Sequence, residues 1–195
     1  MSAPTPLAKP QIRQQARAAR QALNDRHTRS QQIANRLHTL AEYQSAQTVM
    51  LYVSVREEVA TADLITAALE NDKKVVIPYC RDGELQLFHL QNLDELTPGA
   101  YGIPEPPSDL RTQPDRSATT DQLDIILVPG VAFDIHGARC GHGKGYYDKL
   151  LQSANDKTPL IALAFDCQIF PKIPTESHDV DMDKIITESR IYPAA

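Results

Sequence analysis

LDIILVPGVAFDIHGARCGHGKGYYDKLL, running from Leu123 to Leu151, is the stretch whose reading decides the fold. Its first part, Leu123 to Phe133, is a nearly unbroken apolar run, as expected of a strand buried on both faces of a parallel sheet. That run leads into three glycines at every second position, Gly141, Gly143 and Gly145, and YYDKLL then begins a helix. The whole chain has only eight glycines, so three within five positions mark a backbone with a special task. A strand, a glycine loop and a helix in this order bring free backbone N–H groups and the positive end of a helix dipole to one spot, which is an anion site. Lys144 adds a point charge there, and Arg139 can grip two phosphate oxygens at once. Asp148 would repel a phosphate, and its presence is explained if a magnesium ion lies between the two.

The flanking sequence alternates strands and helices. Gln11 to Leu23 carries Ile12, Ala16, Ala19 and Leu23 at helical spacing behind Pro10, and Asn24 is placed to cap a second helix with Ile33, Leu37, Leu40 and Ala41 as its apolar stripe. Thr48 to Val55 reads as a buried strand, Thr61 as the cap of a helix bearing Leu64, Ile65 and Leu69, and Lys73 to Pro78 as the next strand. Glu84 to Leu90 alternates apolar with polar residues, as a strand near an edge does. Leu96 to Thr120 holds five prolines and few apolar residues and reads as a surface excursion. Pro159 to Phe165 and Lys184 to Thr187 supply two more strands. The pattern predicts a three-layer α/β/α fold with a mostly parallel sheet, one domain over residues 1–195, and ligands outside the carboxyl ends of the strands.

Composition narrows the partners. Apolar residues make up 42% and charged residues 23% of the 195, within the globular range. A net charge of -5 gives no electrostatic footprint for nucleic acid, and the basic first helix lacks interleaved aromatics, which disfavours RNA binding. Cys80, Cys140 and Cys167 are odd in number and lack paired metal spacing, so reduced thiols in a cytoplasmic protein are expected. The opening MSAPTPLAKPQIR has no signal-peptide core, and no run approaches membrane-span length.

The general nucleotide fingerprints do not match the loop. A Walker loop needs Ser or Thr after GK, where Gly145 stands, and a dinucleotide loop needs GxGxxG against the GxGxG here. A zinc site from Cys140, Cys167, His142 and His178 has no pair at the usual spacing.

PGVAFDIHGARCGHGKGYYDKLL, Pro129 to Leu151, resembles the signature of the 5-formyltetrahydrofolate cyclo-ligase family. KPQIR at Lys9 to Arg13, REEVAT at Arg56 to Thr61, YGIPEP at Tyr101 to Pro106 and AFDCQIFPKIPTESHDVDMDKIIT at Ala164 to Thr187 resemble its other blocks, in the same order. Cys140, where Leu is usual, and His142, where Tyr is common, depart from the pattern. The resemblance implies an ATP- and Mg²⁺-dependent closure of 5-formyltetrahydrofolate to 5,10-methenyltetrahydrofolate, with ADP and phosphate released. It implies that ATP is held by Lys9, Arg13 and the loop of Arg139, Cys140, Gly141, His142, Gly143, Lys144, Gly145, Tyr146 and Tyr147. Folate would meet Val53, Glu58 and the stretch His142 to Tyr146, with Glu57 as the rival of Glu58 and with Tyr101 and Glu105 as further contacts. Asp148 and Asp179 would hold the metal, with Asp181 and Asp183 as rivals of Asp179. Lys144, Arg139 and Tyr147 are the expected catalytic groups, and Phe133, Tyr146 and Tyr147 are candidates to stack on a flat ring. A monomer without membrane or nucleic-acid partners is expected. The competing class is a nucleotide or sugar-phosphate sensor, which has no need of a carboxylate pair around a metal.

Overall fold

The computed structural model describes residues 7–99 and 102–193. Helices α1 (Lys9–Ala22), α2 (Arg26–His38) and α3 (Ala41–Ser45) precede strand β1 (Thr48–Met50), and α4 (Ala62–Glu70) leads to the hairpin of β2 (Lys74–Arg81) and β3 (Glu84–Leu90). The proline-rich segment carries a small pair, β4 (Thr97–Pro98) with β5 (Pro104–Glu105), then α5 (Ser108–Arg111) and β6 (Ser117–Ala118). There follow β7 (Ile125–Val128), β8 (Ala132–Asp134), β9 (Arg139–Cys140) and α6 (Tyr146–Leu151). The chain then adds β10 (Leu160–Leu163), β11 (Ile169–Phe170), β12 (Lys184–Ile186) and β13 (Ile191–Pro193).

The main sheet runs β13-β12-β10-β7-β1-β2-β3-β6. Strands β12, β10, β7, β1 and β2 are parallel to their neighbours, while β13, β3 and β6 join antiparallel at the two sides. Alternate strand residues point to opposite faces. Val49, Val75, Ile125, Leu127 and Ile161 pack under α2 and α4, whereas Met50, Val76, Ile126, Val128 and Ala162 pack with Leu150 and Leu151 of α6. The α/β/α expectation therefore holds, with the parallel strands buried on both faces.

Several local expectations are corrected. The run Leu123 to Phe133 is two strands, because Pro129 has no N–H for a ladder and Gly130 is pressed against the Phe133 ring, where a Cβ would stand 2.3 Å from Cζ. Gln168, buried, satisfies the carbonyls freed at that break by donating to Gly130 and Val131 at 2.9 and 3.0 Å. Strand β8 belongs to a separate three-stranded sheet, β11-β8-β9, on which α1 packs through Ile12 and Ala16. The glycine loop thus follows a hairpin rather than the buried strand itself. The first strand ends at Met50, five residues early, since Leu51 to Val55 turns into loop held by Ser54 and Thr61. The Thr61 hydroxyl donates to the Tyr52 carbonyl at 2.6 Å and does not cap α4. The N-cap position of α2 is Asp25, in left-handed backbone with φ 60° and without a side-chain capping bond, not Asn24. Glu84 to Leu90 lies near an edge as expected, with only the two-residue β6 outside it. Phe133 is fully buried, so it packs in the core and does not stack on a ligand.

Candidate functional site

Chain order reverses between β1 and β7. From β1 the sheet extends through β2 to one side, and β7, formed later, returns to the other side of β1 and leads to β10 and β12. Sheets of this kind open a crevice at such a switch point, beyond the strand carboxyl ends. A cleft of about 530 Å³ lies there, bounded by Tyr52 and Val53 after β1 and by Pro129 after β7.

The amino-terminal side of the cleft comes from α1. Burial of Ile12 and Ala16 against the small sheet fixes the helix, and residues one turn apart share a face. Lys9 and Arg13 both line the cleft as a result. The Lys9 ammonium lies 2.6 Å from Asp179 Oδ2 and 3.5 Å from Glu176 Oε1. Burial alone would lower the Lys9 pKa, but the hydrogen bonds and charges of Asp179 and Glu176 outweigh it and hold the group above its ordinary 10.5. Burial likewise pushes Asp179 up, and the Lys9 hydrogen bond, the Glu176 N–H at 2.7 Å and the Lys9 charge reverse this and hold it below 3.8. Of the carboxylates near HDVDMD, Asp179 lines the cleft, whereas Asp183 accepts the Leu160 N–H at 2.7 Å.

The floor is the glycine loop. Arg13 donates through Nε to the Gly141 carbonyl at 2.8 Å and lies under Gly143, where a Cβ would stand 3.4 Å from Nη2. Gly143 and Gly145 have φ of +93° and +69°, conformations that glycine adopts without a steric penalty. Helix α6 has only six residues, so the loop's backbone, rather than a long helix dipole, is what it offers an anion. Cys140 is buried at the base of the loop, and burial pushes its thiol up against the opposing charges of Arg13, Lys9 and Arg139. Lys144 and Tyr146 line the cleft, and Lys144 is exposed.

Arg139 is 6% exposed and donates to Asp148 Oδ1 at 2.5 Å, while its guanidinium sits 5.7 Å from the Tyr147 ring centre. Asp148 therefore has a role the sequence did not disclose: it neutralises a buried arginine. The Arg139 Nε is buried with no partner among the described residues. Burial, reinforced by the Glu58 charge, pushes the Tyr147 phenol far above the ordinary tyrosine value, so it stays protonated.

The opposite side is acidic. Glu58 Oε2 accepts the Val55 N–H at 3.1 Å, which fixes the carboxylate in the turn after β1. Its other oxygen lies 3.8 Å from His142 Nε2. Glu57 does not line the cleft, whereas Glu105 of the proline-rich segment does. Glu105 is 6% exposed and pairs with Arg111 at 3.0 Å, and Arg111 stacks 4.6 Å above the Tyr79 ring. Tyr101 lies outside the described residues. Every candidate in the loop, with Lys9, Arg13, Val53, Glu58, Asp148 and Asp179, borders this one cleft. Tyr52 and Tyr79 also line the cleft and were not legible as site residues; Tyr79 shows only as one aromatic in a strand.

Asp148 and Asp179 offer hard carboxylate oxygens of the kind magnesium takes. Among the described residues, no three His, Cys, Asp or Glu side chains converge as a metal cage. The donor set fits an ion that brings further oxygen ligands with it, such as phosphate and water.

Comparison with known proteins matches residues 6–188 to the 5-formyltetrahydrofolate cyclo-ligase family. The chain belongs to this family. A probable 5-formyltetrahydrofolate cyclo-ligase of Caenorhabditis elegans is 35% identical over 156 residues, 75% of each chain. The 5-formyltetrahydrofolate cyclo-ligase of Escherichia coli is 32% identical over 166 residues, 83% of this chain and 89% of its own. Among solved structures, the 5,10-methenyltetrahydrofolate synthetase of Aquifex aeolicus superposes with a TM-score of 0.82 at 30% identity, covering 96% of this chain and 93% of its own. As a cyclo-ligase family member the chain is an enzyme of the ligase class, which sets the sensor reading aside. Among its described residues no helix is long and apolar enough to cross a membrane.

Proposed function

We propose that this cyclo-ligase family member converts 5-formyltetrahydrofolate to 5,10-methenyltetrahydrofolate, consuming ATP and releasing ADP and phosphate. The observation that carries the reading is the charge bordering the cleft: Lys9, Arg13, Arg139 and Lys144 line it with the glycine loop, and the Glu58 carboxylate, held by the Val55 N–H, lines it as well. The cationic end suits a triphosphate, and the carboxylate suits the amino-pyrimidine edge of a pterin. Val53 and Tyr146 border the space between.

A formyl amide oxygen is a poor leaving group. In the proposed sequence it attacks the γ-phosphorus and displaces ADP, giving a phosphorylated formyl intermediate. The neighbouring anilino nitrogen then adds to that carbon and loses its proton, and phosphate departs. Such a transfer needs positioning and charge neutralisation rather than a protein nucleophile. Lys9 and Arg13 hold the β- and γ-phosphates, Arg139 and Lys144 neutralise charge at the transferred group, and the neutral Tyr147 phenol is a hydrogen-bond donor. Asp148 and Asp179 would hold Mg²⁺, which when bound supplies positive charge to the phosphate oxygens. The reading includes one domain over residues 1–195, a monomer and a cytoplasmic location.

The test is the growth of methenyl absorbance on mixing protein, ATP, Mg²⁺ and 5-formyltetrahydrofolate. Growth that requires all four is the expected result. Absence of product with well-folded protein would overturn the reading.

A further inference from the structure

We propose that Arg17 is a positioning residue for the folate end of the cleft, which fixes His142 as its Nε2–H tautomer and aims that N–H at the Glu58 carboxylate. The inference relies on the cyclo-ligase reading only for the ligand's identity. Arg17 lies one turn beyond Arg13 on α1, and its Nη2 is 3.1 Å from His142 Nδ1. A guanidinium has donors and no acceptor, so Nδ1 must be the acceptor of this bond. A neutral imidazole that accepts at Nδ1 carries its proton at Nε2. That nitrogen lies 3.8 Å from Glu58 Oε1, the oxygen left over after Oε2 takes the Val55 N–H.

The other neutral tautomer is disfavoured by the same contacts. The Nδ1–H tautomer would set a donor against the guanidinium and a lone pair against the carboxylate. Arg17, His142 and Glu58 therefore form a line from α1, through the glycine loop, to the turn after β1. The 3.8 Å separation exceeds a hydrogen bond, so the imidazole N–H faces Glu58, which the Val55 N–H already fixes, without occupying it. Oε1 keeps a lone pair for an N–H of a bound amino-pteridine.

Two measurements test this. Nitrogen-15 spectra of the ligand-free protein at about pH 8, where ordinary imidazoles are neutral, should show His142 in one Nε2–H form, with its signal assigned by loss in H142Q. R17M, which has no donor, should convert it to a mixture, and R17K, which can still donate, should restore the single form. In the assay R17M should raise KM for 5-formyltetrahydrofolate about fivefold, the scale of one lost hydrogen bond, with the effect falling on KM rather than kcat and largely recovered in R17K. An unchanged tautomer in R17M overturns the proposal, as does a shifted tautomer with unchanged folate KM, or an equal rise in KM for ATP. Failure of the cyclo-ligase reading would appear separately, as wild-type protein without product while the tautomer result stands.

Discussion

Asp148 faces two demands at once, and they separate only by measurement. Its carboxylate neutralises Arg139, which is 6% exposed, and it is also a proposed magnesium ligand. Asp148→Asn removes the charge while keeping the shape, so turnover should fall below a hundredth of wild type, and stability in urea should drop by about 1 to 3 kcal/mol because a buried guanidinium loses its counter-charge. Wild-type turnover at saturating Mg²⁺ would remove Asp148 from the site. Lys9→Ala and Arg13→Ala should each raise KM for ATP more than for folate, by about 1.5 to 3 kcal/mol as a lost charge-assisted hydrogen bond. The Lys9–Asp179 pair also has a pH signature. Asp179 is held below 3.8 in the fold, so its contribution is whole above that pH and is lost as pH falls through the lower folded value. Lys9 is held above 10.5, so its contribution is whole below that pH and is lost as pH rises through the higher folded value. Asp179→Asn should therefore flatten the acid end of the stability curve, measured by urea unfolding between about pH 2 and 5. An unchanged acid limb would mean that the pair contributes nothing to the fold.

At the scale of elements, the glycine loop yields a prediction that needs a control. Gly143 and Gly145 have φ of +93° and +69°, so alanine at either is strained whether or not a ligand binds, and a stability loss of about 1 to 2 kcal/mol is expected for each. Gly83, with φ +80° and open space around it, lies in the β2–β3 turn, does not line the cleft and should show a similar loss. Calorimetry separates them: Gly143→Ala and Gly145→Ala should lose most ATP affinity, and Gly83→Ala none. If all three bind ATP like wild type, the glycine cluster is only a turn. The loop was visible because its signal is local composition, and the central strands were visible because burial on both faces leaves continuous apolar runs. Boundaries were not. Pro129 and Gly130 break a run that hydropathy alone carries through to Phe133, and β13, three residues ending in a proline, is too short to show a period. The Thr61 hydroxyl looked like a cap because residue type does not reveal that the Tyr52 carbonyl claims it.

Across the whole molecule, what the sequence hid is how residues pair. Lys9 and Asp179 are 170 positions apart, and they meet because α1 packs on the small sheet beside the closing segment. In the structure, the carboxylates of Asp179 and Asp148 are each engaged by a cation of the proposed phosphate end, Lys9 and Arg139 respectively. A bare nucleotide would have to take those cations and strand two carboxylates, and a bare metal ion would have to take the carboxylates and strand two cations. Arriving together they would exchange partners, cations to phosphate and carboxylates to metal, and no charge would be left alone. Such coupling is reciprocal, so ATP and Mg²⁺ should each tighten the other's binding by the same factor, at least about tenfold. Calorimetric titration of ATP with saturating Mg²⁺ and with EDTA measures it. The Asp148→Asn, Asp179→Asn double variant should lose the coupling, yet bind ATP in EDTA more tightly than wild type, because its cations are already free. Equal wild-type affinity in both buffers, or weaker metal-free binding by the double variant, would show that these ion pairs do not control access to the phosphate end.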